Sequence, residues 1–285
     1  MTDGRALPAW FIGFLHEKAD RYAMLMQTLA SASIDHQSFE SAAGSFIIAH
    51  PKANKTDTHY RAKVFTAHYD RVPDTPGALD NSAACLQLMD YLELGRGAFN
   101  TTVVFTDREE LSGRDATEQG SYALGKAFSS LGLGLPLVFT FDVTGRGDAL
   151  VISQAAQALR SEGAAMARLA AELDTVAAEA SRCLSGRMPL YRARVPFGED
   201  LGFLRAGVPA LALTVLPRAE AEELAGADGL PPWASPLHPK HKKPATWRLL
   251  HSADDLPDLY TASAFSLMDK ALNALGALRV RALAG

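Results

Sequence analysis

The sequence predicts an α/β fold, a single domain built on a mostly parallel central sheet flanked by helices. Short apolar runs rich in Val, Phe and Thr, such as "AKVFTAHYD", "TTVVFTD" and "LPLVFTFDV", alternate with longer stretches of helical periodicity, such as "NSAACLQLMDYLELG" and "SYALGKAFSSLG". The apolar runs are continuous and do not alternate with polar residues, as expected of parallel strands covered on both faces. With 285 residues, 48% of them hydrophobic, the chain can close a sizeable core.

Taken in order, residues 8–32 carry apolar positions at helical spacing and predict an opening helix, after which "FESAAGSFIIAHP" turns towards strand character. The alternation above follows. The second half offers a long helical segment from Gln154 to Cys183, a helix-like "EDLGFLRAG", a strand "VPALALTVL" and a closing helix "LYTASAFSLMDKALNALGALRV". Pro217 to Trp247, rich in Pro, Ala and charge, reads as a surface excursion. No repeat breaks the chain, so residues 1–285 are expected to form one domain.

A net charge of −4 gives no general attraction for phosphate backbones or anionic lipid, so neither nucleic acid nor membrane is an expected partner. The first residues lack a basic region, and the apolar stretch Trp10–Leu15 is broken by His16, Glu17 and Lys18. That pattern predicts neither a signal peptide nor a membrane span, and a cytoplasmic location is the expectation. The two cysteines, Cys85 and Cys183, imply no disulfide framework and read as small buried hydrophobes. Oligomeric state is left open.

In sheets of this kind active sites gather at the carboxyl ends of the strands. Collecting the residues that follow each apolar run yields His68 and Asp70, then Glu109 and Glu110, then Asp142. Asp80 precedes a helix-like run and His251 follows a late apolar step. A lone His or Asp at a strand end is ordinarily a cap or a solvated loop residue. The set is more informative, because carboxylate plus imidazole without thiolate suits zinc or a similar divalent ion.

These residues resemble the zinc-dependent aminopeptidases of the di-zinc exopeptidase type. The matching motifs are "HYD" at 68–70, "GALDN" at 77–81, "EE" at 109–110 with "GS" at 120–121, "FD" at 141–142 and "HSADD" at 251–255. The resemblance implies a phosphorylase/hydrolase-like fold of the zinc-exopeptidase type, holding two divalent metal ions, zinc foremost, and acting on a peptide or aminoacyl substrate. It implies that His68 and Asp142 hold one ion, that Glu110 and His251 hold the other, and that Asp80 bridges them. Glu109 is then the general base, and Asp70 accepts the remaining ring N–H of His68 and fixes its tautomer. Physical logic agrees with this division. Two divalent ions roughly 3.5–4 Å apart need a bridging carboxylate and acidify a shared water to about pKa 7, and a further carboxylate must take its proton. Asn81 is expected to support the loop of the bridging ligand and to touch substrate.

This chain departs from the family in two places. "LSGRDATEQGSYALG" inserts residues between the paired glutamates and Gly120, so the 112–119 segment lines the approach to the site, where Asp115 and Glu118 read as solvated. Where the family has Ser-Asp-His, Asp200 matches the Asp as a substrate-binding residue and Leu201 replaces the His. His238 and His241, set among lysines and Pro239, read as solvated and not as ligands. Two alternatives share the fold. One is a single-zinc glutaminyl cyclase, against which Asn81 speaks because that branch carries Ser there. The other is a catalytically silent binding protein, which ordinarily loses the ligands or base that this chain keeps. The preferred N-terminal residue, the physiological peptide and the native metal are not legible.

Overall fold

Side-chain branching and burial make the strands. The computed structural model describes residues 6–110, 115–227 and 243–281. In chain order its strands are β1 (His36–Ser41), β2 (Gly44–Ala49), β3 (Lys63–His68), β4 (Thr101–Thr106), β5 (Leu137–Phe141), β6 (Ala149–Ser153), β7 (Leu190–Ala193) and β8 (Ala210–Leu216). They form one sheet in the order β1-β2-β4-β3-β5-β8-β6-β7, in which β4, β3, β5 and β8 run parallel. Every residue of these four strands is buried, and Val, Leu, Phe and Thr supply most of them. The β1-β2 hairpin joins antiparallel at one end, and β6 joins β8 antiparallel at the other.

The helices are α1 (Ala9–Phe14), α2 (Arg21–Ser31), α3 (Ala83–Leu94), α4 (Gly120–Ala127), α5 (Ala164–Leu184), α6 (Asp200–Arg205), α7 (Arg218–Ala225), α8 (Ala245–Leu249) and α9 (Ala262–Ala277). α3 packs on β3 and α9, α5 packs on α9, and α4 packs on α6. Phe65 of β3 anchors the core, its ring 5.3–5.7 Å from those of Tyr91, Phe139 and Phe141. Register brings the carboxyl ends of the central strands level, with His68 opposite Thr106 and Thr66 opposite Thr140. The residues that leave those ends therefore share one side of the molecule.

Four expectations need correction. The opening helix over 8–32 is two helices, because Asp20 caps α2 by accepting the Ala23 N–H at 3.0 Å and the chain turns between Leu15 and Asp20. The helical segment from Gln154 to Cys183 divides at Gly163, whose φ of +129° ends a 3₁₀ stretch, Ala155–Glu162, before α5 begins. β6 and β7 were not expected; β7 is only half-buried at the sheet edge and carries no continuous apolar run. The excursion of Pro217 to Trp247 contains α7, whose Ala221 and Leu224 pack in a small apolar cluster with Val151 and Trp247. Residues 111–114 and 228–242 lie outside the described residues, and with them part of the 112–119 insert, His238 and His241. Among the described residues no helix is long and apolar enough to cross a membrane, and both cysteines are free thiols.

Candidate metal centre

His68 ends β3, and Asp70 follows on the turn that leaves it. Asp80 sits on a tight turn, Ala78–Ser82, entered through Gly77 in the left-handed region at φ +59°. A Cβ at Gly77 would lie 2.7 Å from the Asp80 carbonyl, so the turn closes only on glycine. Glu109 and Glu110 follow β4 past Arg108, whose φ of +57° turns the chain out of the strand. Neighbours in a regular strand point to opposite faces, and this turn is what lets consecutive glutamates address one place. Asp142 leaves β5, and His251 follows α8 with φ +56°.

Two groups of ligand atoms result, each with its atoms within 4.8 Å of one another: His68 with Asp80 and Asp142, and Asp80 with Glu110 and His251. Asp80 belongs to both. Its two oxygens divide between them, with Oδ1 3.1 Å from His68 Nε2 and Oδ2 3.1 Å from His251 Nε2. Glu110 Oε2 lies 3.1 Å from the same His251 nitrogen, and Asp142 Oδ1 3.7 Å from His68 Nε2. Glu109 shares a further grouping with His68 and Glu110. Asp70 stands behind His68, its Oδ1 3.4 Å from Nδ1, while its Oδ2 accepts the Glu110 N–H at 3.0 Å.

The charges of these groups show what the arrangement requires. Burial works against a charged His68, yet the carboxylates of Asp142, Asp70 and Asp80 close around it raise its pKa well above the ordinary imidazole value. Asp80 and Glu110 push His251, which is 55% side-chain exposed, up to about 10. Burial raises Glu109 well above the carboxylate range and Glu110 to about 7. Asp80 is also buried, but the two histidines outweigh that and hold it low. The whole cluster draws positive charge to itself.

The residues present fit divalent metal. Both ring nitrogens of His68 and Oδ1 of Asp142 are buried without a hydrogen-bond partner, so lone pairs converge where no proton is well shared between them. A cation with nitrogen and oxygen ligands satisfies such a donor set.

A cavity of about 170 Å³ opens beside the cluster. Asp80, Glu109, Asp142 and His251 form one wall; Val143, Phe197, Trp247 and Leu250 supply apolar surface. Gly198 runs close past the centre, where a Cβ would stand 3.0 Å from Asp142 Oδ2. Asp200 lines the cavity, its Oδ1 accepting the Gly198 N–H at 2.9 Å. The structure puts Asn81 elsewhere. It is fully buried and donates from Nδ2 to the Phe141 carbonyl at 2.8 Å, binding the Asp80 turn to the strand end that carries Asp142, which makes it part of the frame and not of the cavity wall.

Two carboxylates escaped the sequence reading. Glu199, next to Asp200, lines the cavity floor, accepts from Thr66 Oγ1 and Thr106 Oγ1, and is raised to about 7 by burial. Asp255 is fully buried and clamps the Asp80 turn, with Oδ1 accepting the Leu79 N–H at 2.6 Å and Oδ2 the Asp80 N–H at 3.2 Å. Both stand inside quoted stretches, "EDLGFLRAG" and "HSADD", but nothing local in the sequence tells which carboxylate turns inward.

The comparisons with known proteins agree with this geometry. Residues 46–274 match peptidase family M28. An aminopeptidase, LapA of Legionella pneumophila, superposes with a TM-score of 0.59 at 14% identity, over 90% of this chain and 62% of its own. A zinc aminopeptidase from Bacillus subtilis gives 0.52 at 17% identity, over 84% of this chain and 51% of its own. A glutaminyl cyclase from Porphyromonas gingivalis gives 0.55 at 14% identity, over 94% of this chain and 95% of its own. The chain thus spans only about half to three-fifths of those two aminopeptidases. None of the curated protein sequences matches it. At such identities the likeness to solved structures establishes the fold.

Proposed function

Because the chain belongs to peptidase family M28, we propose that it is a metal-dependent aminopeptidase that hydrolyses the N-terminal peptide bond of a peptide or aminoacyl substrate. The observation that carries the reading is the sharing of Asp80 between two ligand groups, one with His68 and Asp142 and one with Glu110 and His251. Those five residues would hold two divalent ions, zinc foremost. When bound, such ions polarise a scissile carbonyl and acidify a water.

The chain's own residues supply the rest. Glu109 lines the cavity beside the ligands and is held there by burial with a raised affinity for protons. A carboxylate of that kind takes the proton of the attacking water and returns it to the leaving amine. Asp70 orients His68 from Nδ1, and Asp255 and Asn81 hold the Asp80 turn from two sides. The apolar cavity wall receives the N-terminal side chain and keeps water from the reacting groups. The test is Glu109→Gln. Turnover of aminoacyl anilides is expected to fall at least about 10²-fold, the usual contribution of a positioned base, with metal content unchanged. Substantial residual turnover at wild-type metal content refutes the assignment.

The second reading, cyclisation of N-terminal glutamine at a single zinc, is favoured by one observation: the near-complete mutual coverage with the cyclase. Asn81 counts against it, because its amide ties Asp80 to the strand end of Asp142 and so holds the His68–Asp142 group beside the Glu110–His251 group, as a two-ion centre needs. Metal analysis with paired assays on an anilide and an N-terminal Gln peptide separates the two, and a chain with neither activity nor metal is the silent scaffold.

A further inference from the structure

We propose that Arg21 is a positioning residue of the metal centre, through which the N-terminal α1–α2 pair frames the two loops that carry His68, Asp70 and Asp80. The inference rests on the metal centre proposed above. Arg21 opens α2 and is 5% exposed, and its guanidinium lies over the Phe14 ring at 4.7 Å. Nε donates to the Phe14 carbonyl at 3.2 Å, anchoring the group to α1. One terminal nitrogen donates to the carbonyls of Tyr69 at 3.0 Å and Asp70 at 3.5 Å, on the loop that leaves His68. The other donates to the Pro76 carbonyl at 3.0 Å and to Ser82 Oγ at 2.8 Å, at the two ends of the Asp80 turn. Ser82 donates its own O–H to the Gly77 carbonyl at 2.6 Å, closing the turn from within.

None of the five acceptors is a carboxylate, so this cation is not placed for an ion pair. A buried cation without a close counter-charge is costly unless its donors are all met. Burial, with Arg71 beside it, lowers the group to about 10, so it is charged at neutral pH and needs those carbonyls. Only a planar fork with five fixed donors reaches three separate backbone segments at once; an ammonium offers three donors at one point. Arg71 repeats the pattern more weakly, donating to the carbonyls of Leu15, His16 and Pro76. The opening helices, distant in sequence from every ligand, therefore set the spacing between the His68 and Asp80 loops.

The experiment measures zinc affinity of the folded protein by competition with a chromophoric chelator, below the melting temperature of each variant. Wild type is compared with Arg21→Lys and Ser82→Ala. Residues that orient ligands cost about 10–100-fold in affinity when removed, and that loss is expected for Arg21→Lys, with a smaller loss of at least about threefold for Ser82→Ala. An arginine that only stabilises the fold lowers the melting temperature and leaves the affinity of folded chains where it was. If Arg21→Lys does not fold, Ser82→Ala decides, and unchanged affinity overturns the proposal. A wild-type chain that takes up no zinc overturns the metal centre itself; wild-type uptake with unaltered variants overturns the role of Arg21 alone.

Discussion

Gly120→Ala tests how tightly the loop of the paired glutamates is held. Gly120 begins α4 and donates its N–H to the Arg108 carbonyl at 3.3 Å. A Cβ added there would stand 2.0 Å from the Asp107 carbonyl oxygen and 3.2 Å from the Phe46 ring. Since Cβ contacts below 3.0 Å are essentially never seen, the backbone at Asp107 must retreat by about 1 Å. Asp107 lies two residues before Glu109, and its carboxylate also accepts the Ser45 and Arg108 N–H groups, so the displacement carries into the glutamates. A misplacement of about 1 Å costs about 10²-fold in rate, or about 2.7 kcal/mol of barrier. Overpacking adds about 1–3 kcal/mol of lost stability, which an unfolding entropy of about 0.6 kcal/mol/K converts to about 2–5 °C. The assay is kcat on an aminoacyl anilide beside a melting curve. Gly226→Ala serves as control, because its nearest neighbour would be the Glu222 carbonyl at 3.5 Å, an ordinary contact. An alanine at 120 with kcat within threefold of wild type and an unshifted melting point refutes the claim that this close approach positions Glu109.

Further expectations follow from buried groups. Asp255→Asn keeps one acceptor and sets an amide N–H against a backbone N–H of the Asp80 turn. One orphaned buried donor costs about 1–3 kcal/mol, so calorimetry is expected to show a lower melting point, with weaker zinc binding; a variant that melts as wild type and binds zinc equally contradicts the clamp. Lys63 is 1% exposed and donates to the carbonyls of Phe99 and Leu278, while burial, with Arg279 beside it, lowers its pKa to about 7. Between about pH 7 and its unfolded value near 10.4 the unfolded chain holds a proton that the native chain releases, so this group makes stability rise with pH, by at most about 1.4 kcal/mol per unit. Denaturant titrations of wild type and Lys63→Met across that range check it, and parallel curves would disprove the linkage.

The candidate ligand residues and their strand-end positions were legible because each is a local property. An apolar run followed by His or Asp is visible in eight or nine residues, and the paired glutamates after "TTVVFT" follow the same rule. The break of the opening helix was missed, because apolar positions keep helical spacing on both sides of Asp20 and only the fold shows its side chain capping a new helix. Side-chain direction was not legible either. "EDLGFLRAG" offers Glu199 and Asp200 with equal claim, and only the geometry of the sheet, with Thr66 and Thr106 facing one carboxylate, separates them. Asn81 looked like a substrate contact because its motif adjoins the site, whereas its amide turns to Phe141.

By itself the sequence determined the α/β class, the residues with metal-binding chemistry and their order along the chain, because periodicity and side-chain chemistry are written residue by residue. Tertiary structure decided which of them meet. His68 and His251 share Asp80 across more than half the chain, Asp255 reaches back to Leu79, and Arg21 reaches forward to Ser82. The physical reason is that these contacts depend on strand register and on turns at Gly77 and Arg108, which bring together backbone segments that no local pattern connects.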